Sequence, residues 1–102
     1  MPAIYRYLGI LFYFYSNEHE PIHVHARKQK QEIIFDLYFE NGKLKELKTR
    51  KNKKNKPLSP TDMSKAENFI KKHAKQIAEK WNTVFVLNGE VKCETITKKK
   101  AK

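Results

Sequence analysis

Gln31-Glu32-Ile33-Ile34-Phe35-Asp36-Leu37-Tyr38-Phe39-Glu40-Asn41-Gly42-Lys43-Leu44-Lys45-Glu46-Leu47 is the stretch on which the fold turns. Its first half carries Ile33-Ile34-Phe35 and Leu37-Tyr38-Phe39, β-branched and aromatic residues that suit a pleated, half-buried surface. Asn41-Gly42 follows, the dipeptide that most readily takes φ > 0 at both central positions of a type I′ turn. Lys43 to Leu47 therefore reads as the returning strand, and the hairpin commits the chain to antiparallel pairing.

Upstream, Ile4 to Leu8 and Ile10 to Tyr15 read as two further strands, broken near Gly9, which tolerates the left-handed backbone of a tight turn. Ser16 to Pro21 is turn chemistry. Pro21 biases Glu20 away from helical geometry, so the chain should resume an extended course at Ile22, and His23-Val24-His25 opens a third strand. Downstream, Lys48 to Lys56 contains six basic residues and no apolar one, which predicts an exposed, mobile basic loop over 48–57. Ser59 as N-cap, Pro60 at the first helical position and Asp62 near the positive end of the dipole mark a helix start. Met63, Ala66, Phe69, Ile70, His73, Ala74, Ile77, Ala78 and Trp81 keep helical spacing, so one amphipathic helix is expected to run to about Trp81. Thr83 to Leu87 then reads as a strand, Asn88-Gly89 as a second hairpin turn and Val91 to Thr97 as its partner.

The predicted class is α+β: a mostly antiparallel sheet of about five to seven strands with one helix packed on one face. A chain of 102 residues is expected to form one domain, here 1–97, with Lys98 to Lys102 as a disordered basic tail. No stretch approaches the roughly 20 apolar residues of a spanning helix, which argues against a membrane role. Met1-Pro2-Ala3-Ile4 lacks the features of a signal peptide, and the single cysteine, Cys93, suits a reducing compartment; the expected location is cytoplasmic.

The net charge of +11 is unevenly placed. Residues 1–40 hold four Lys or Arg against five Asp or Glu, a net −1, whereas residues 41–102 hold 18 against six, a net +12. Such an imbalance suits an anionic partner, RNA or DNA, because each cation set on a phosphate releases condensed counterions. It equally suits a small protein kept soluble by lysine. Arg27, Lys48, Arg50, Lys51, Lys53, Lys54 and Lys56 are the candidate phosphate-binding residues.

Three of the four histidines fall within Glu18-His19-Glu20-Pro21-Ile22-His23-Val24-His25. On a strand His23 and His25 share a face and Val24 takes the other, so two imidazoles can serve one phosphate, one proton or one metal. As acid and base on RNA, His23 and His25 would act with His19 as a third group, and Glu18 would orient an imidazole. No cofactor is required by that reading. His19, His23 and His25 could instead ligate a divalent transition metal. A third reading makes them turn caps and hydrogen-bonding struts of a sheet. His73, on the apolar face of the helix, is either a fourth, orienting partner or a core histidine satisfied by a carbonyl.

Met1-Pro2-Ala3-Ile4, Tyr15-Ser16-Asn17-Glu18-His19 followed by Pro21, His23-Val24-His25, and Trp81 with His73 upstream of it together resemble the small bacterial domain-of-unknown-function family 4160. The likeness spans nearly the whole chain, with Ile22 standing where the family usually has a second proline. The family has no established activity. The resemblance implies membership of a two-gene cassette similar to a toxin-antitoxin module, with a small protein encoded by the neighbouring gene as partner. Toxins of this size are commonly ribonucleases, and antitoxins bind nucleic acid. The resulting expectation is a nucleic-acid-binding, toxin-like component of such a module, with a metal-binding module or a non-catalytic interaction domain as alternatives.

Overall fold

The computed structural model describes residues 2–14, 22–51 and 54–97. Six strands, β1 (Ala3–Tyr7), β2 (Ile10–Tyr13), β3 (Ile22–Lys28), β4 (Gln31–Glu40), β5 (Lys43–Lys51) and β6 (Glu94–Ile96), form one sheet in the order β5-β4-β3-β2-β1-β6. All neighbours pair antiparallel except β1 and β6, which run parallel with Tyr5 opposite Glu94 and Tyr7 opposite Ile96. The turns that build this meander are the expected ones: Gly9 (φ 83°) between β1 and β2, and Asn41-Gly42 (φ 54° and 80°) between β4 and β5.

Two helices, α1 (Pro60–Lys72) and α2 (Ala74–Phe85), cover one face of the sheet. The start of α1 is built as its sequence implies. Ser59 caps it, its Oγ accepting from the Asp62 backbone N–H at 3.2 Å and donating to the Asp62 carboxylate, with Pro60 in the first turn. Ala66, Phe69, Ile70, Ala74, Ile77 and Trp81 point into the core. Phe69 lies against Tyr5, Tyr7 and Phe12 at ring separations of 4.7–5.2 Å, and Trp81 meets Phe14 edge-on at 5.3 Å.

The single helix expected to reach Trp81 is thus two helices, joined at His73 (φ −108°, ψ 18°). No proline or glycine stands there. The His73 Nδ1 lies 3.1 Å from the Phe69 carbonyl oxygen, which already accepts from the His73 backbone N–H. A side chain bonded back to the carbonyl four residues earlier is a recognised cause of helix bending.

The end of the chain also departs from expectation. Thr83 to Phe85 is helical rather than extended, because the rings of Trp81 and Phe85 at i, i+4 lie 4.5 Å apart and both reach Phe14. Asn88-Gly89 closes no hairpin: Asn88 is left-handed (φ 56°), and the Gly89 N–H donates to the Thr83 carbonyl at 2.7 Å, ending the helix. Only Glu94–Ile96 of the expected Val91 to Thr97 strand forms, and its partner is β1. The basic segment from Lys48 is likewise not loop throughout. β5 extends to Lys51, since an edge strand needs one hydrogen-bonded neighbour rather than an apolar face of its own, and Ile33–Asp36 supply it. Residues 98–102 lie outside the described residues.

Candidate functional site

Alternation along β3 and β4 sends Val24, Ala26, Ile33, Phe35 and Leu37 under the helices and leaves His25, Glu32, Ile34 and Asp36 on the opposite face. That outer face is polar and yet largely buried. His25, 3% exposed, brings its Nδ1 to 2.8 Å from Glu32 Oε2, and Glu32 is 1% exposed. The other carboxylate oxygen of Glu32 accepts from Asn55 Nδ2 at 3.1 Å. Tyr13, the cross-strand neighbour of His25, stacks on its imidazole with ring centroids 5.0 Å apart. Glu32 is therefore a hub that ties β3, β4 and the segment after β5 together through buried hydrogen bonds.

The residues expected to act together are only partly brought together. His23 and His25 have ring centroids 6.1 Å apart, with His23 half-buried and its ring 5.6 Å from Trp81. His73 stacks on Phe69 at 4.2 Å and lies near Tyr5, so its partners belong to α1 and β1. It is half-buried, with its Nδ1 set against the Phe69 carbonyl and away from His23 and His25. His19 and Glu18 lie outside the described residues. Among the described residues, no group of three or more His, Cys, Asp or Glu side chains is placed to hold a metal ion. The carboxylate that orients a strand histidine is Glu32. Reading the sequence misses it, because the Gln29-Lys30 turn that pairs Arg27 with Glu32 and puts His25 one diagonal step away carries neither glycine nor asparagine to mark it.

The cations fall into two places. On the outer face Arg50 grips Asp36 with Nε and Nη2 at 2.8 Å each, and Lys48 sits over the Tyr38 ring, 5.5 Å from its centroid. Lys51 is exposed at the end of β5; Arg27 is exposed, with its Nε donating to the Gln29 carbonyl, and Lys53 lies outside the described residues. The second place is a cleft of about 670 Å³ where the β3–β4 turn, the 54–56 segment and the start of α1 meet. Among the described residues, Lys28, Lys30, Lys54 and Lys56 line it with one carboxylate, Asp62, which Lys28 Nζ approaches at 3.3 Å. The segment is fixed in place by the Glu32 N–H donating to the Lys56 carbonyl at 2.8 Å and by the Asn55–Glu32 bond. Lys28 and Lys30 escape a reading of the chain by basic runs, because they lie 24 or more residues from the lysines they join.

This architecture defines an α+β protein with a buried polar network and a cationic cleft at one end of its sheet. Residues 9–82 match the family model "Domain of unknown function (DUF4160)", and the chain belongs to that family. No curated protein and no solved structure matches it. Among the described residues no helix is long and apolar enough to cross a membrane.

Proposed function

We propose that this protein binds nucleic acid, RNA or DNA, through the cleft of Lys28, Lys30, Lys54 and Lys56 and the adjoining basic edge of β5. One observation carries the reading. Two lysine pairs distant in sequence converge on one concavity whose single acid is already engaged by a lysine. Such a site attracts a run of phosphates rather than a lone counterion, and the +12 of residues 41–102 extends the field around it. The finer role, a toxin-like component working with the product of a neighbouring gene, rests on the family resemblance alone. In this reading His25 is a strut, because its burial and its bond to Glu32 deny it to a scissile phosphate.

Fluorescence anisotropy with labelled single- and double-stranded oligonucleotides over a series of salt concentrations tests it. Affinity should fall steeply with salt, and Lys54→Glu with Lys56→Glu should weaken binding by more than about tenfold and flatten the salt slope by about two. His23→Ala should leave it unchanged. Binding that ignores salt, or that survives charge reversal at Lys54 and Lys56, rules the cleft out. Growth inhibition on expression, relieved by the lysine reversals, would support the toxin-like role, whereas no inhibition in a host lacking the neighbouring gene would remove it.

A further inference from the structure

At the opposite end of the β4–β5 hairpin the sheet and the helices leave a trough. It consists of two depressions, about 1000 and 540 Å³, that share Phe39, Gly42 and Lys75 as a common wall. Its floor is apolar, from Ile22, Leu37, Phe39 and Ala78 in the larger part and Leu44 and Leu47 in the smaller. Along α2 it is bounded by Lys75, Ala78, Glu79, Asn82 and Thr83, positions that recur at helical spacing on one side of the helix. Lys71 and Lys72 continue that wall at the end of α1, and Lys43 and Lys45 stand across from them on β5. On α2 the wall from Lys75 to Thr83 spans about 12 Å at the rise of a helix, and Lys71 and Lys72 lengthen it beyond the break at His73. The two depressions together make an elongated trough rather than a single round pocket.

From this trough we infer a docking site for an acidic, amphipathic helix of a partner protein, independent of the nucleic-acid reading. Charge decides the class of occupant. Five lysines rim the trough against Glu46 and Glu79, and while Glu40 holds Lys45 and Glu67 holds Lys71, Lys43, Lys72 and Lys75 have no acidic partner among the described residues. The floor decides against nucleic acid, since a phosphate backbone has nothing to seat on leucine, isoleucine and phenylalanine side chains, whereas a helix with apolar residues at i, i+3, i+4 and i+7 does. Acidic residues on the flanks of such a helix would face the lysine rim on both sides, steering its approach and fixing its register.

A designed peptide of leucine and glutamate with that helical pattern is the probe, compared with a scrambled peptide of the same composition and with a single-stranded oligonucleotide. The patterned peptide should bind the full chain at micromolar concentrations and the scrambled one at least about tenfold more weakly. Ala78→Glu, a helix-compatible change on the floor, and Lys72→Glu with Lys75→Glu on the rim should each weaken it by about tenfold or more, with thermal unfolding checking that each variant is folded. Reversal of Lys54 and Lys56 should leave peptide binding intact, which separates this site from the cleft. Equal binding of the scrambled peptide overturns the proposal in favour of charge alone. Competition by the oligonucleotide that Ala78→Glu abolishes assigns the trough to nucleic acid instead. A concentration-dependent dimer that Ala78→Glu dissociates assigns it to a second copy, and no binding at about 1 mM peptide ends it.

Discussion

His25 Nδ1 lies 2.8 Å from Glu32 Oε2, joining β3 to β4 on the face of the sheet turned away from the helices. Removing either partner leaves the other polar group buried, so His25→Ala and Glu32→Ala should each destabilise the fold by about 3 kcal/mol. Because the two losses are one interaction, urea denaturation of the double variant should reveal a coupling of about 1–3 kcal/mol. His25→Phe with Glu32→Leu should recover much of the loss, as buried hydrogen-bonded pairs replaced together by apolar residues often do. Strictly additive effects would mean that the hub is held by its other neighbours.

Asp62 both closes the cap of α1 and occupies Lys28 in the basic cleft. Asp62→Asn should therefore separate stability from binding. The helix start loses an acidic group near its dipole, which costs about 1 kcal/mol. Lys28 is freed for phosphate, and oligonucleotide affinity should rise with a salt slope steeper by up to about one. Anisotropy titrations at two salt concentrations measure it, and unchanged affinity would show that Lys28 does not contact the ligand.

The hairpin from Gln31 to Leu47 was legible because pattern and turn chemistry agree: alternating apolar residues lead into Asn41-Gly42, and both turn residues take the left-handed backbone they favour. The α1 start was legible for the same reason, with Ser59, Pro60 and Asp62 acting locally. What the sequence concealed was tertiary. Thr83 to Leu87 has strand composition, and only the packing of Phe85 on Trp81 and Phe14 makes its first three residues helical. The break at His73 depends on one side chain bonding to a carbonyl rather than on a breaker residue. The histidine run reads as chemistry because its three imidazoles fall within seven residues of sequence, whereas the partner that governs His25 sits seven residues on, across a turn at Gln29 that carries neither glycine nor asparagine.

That turn stores strain. Gln29 takes φ 56°, a region that costs a residue with a Cβ roughly 1–2 kcal/mol, while Lys30 beside it lies outside that region. Gln29→Gly should raise stability by about 0.5–1 kcal/mol, less than the whole strain because glycine also loosens the unfolded chain. Lys30→Gly, made for comparison, should lower it by a similar amount. Chemical denaturation of the two variants gives the test, and a loss on Gln29→Gly would indicate that the glutamine side chain contributes more than its backbone costs.

Tyr5 offers a reading of the core by pH. Burial pushes its phenol up from 10 to about 12, and the carboxylates of Glu94 and then Glu79 add to the effect by opposing a phenolate. The ring is held edge-on to Phe69 at 5.2 Å, with Lys80 Nζ 5.0 Å from its centroid. In the unfolded chain Tyr5 ionises near 10, so between pH 10 and 12 the unfolded state binds fewer protons than the folded one and stability must fall as pH rises. Below pH 10 both states keep the proton and Tyr5 contributes no slope. Tyr5→Phe keeps the ring and its packing but has no proton to lose, so its stability should decline less steeply over this window. Denaturation curves of the two proteins at a series of alkaline pH values, with tyrosinate absorbance followed in parallel, measure the difference. Equal slopes would mean that the Tyr5 hydroxyl reaches water in the folded protein.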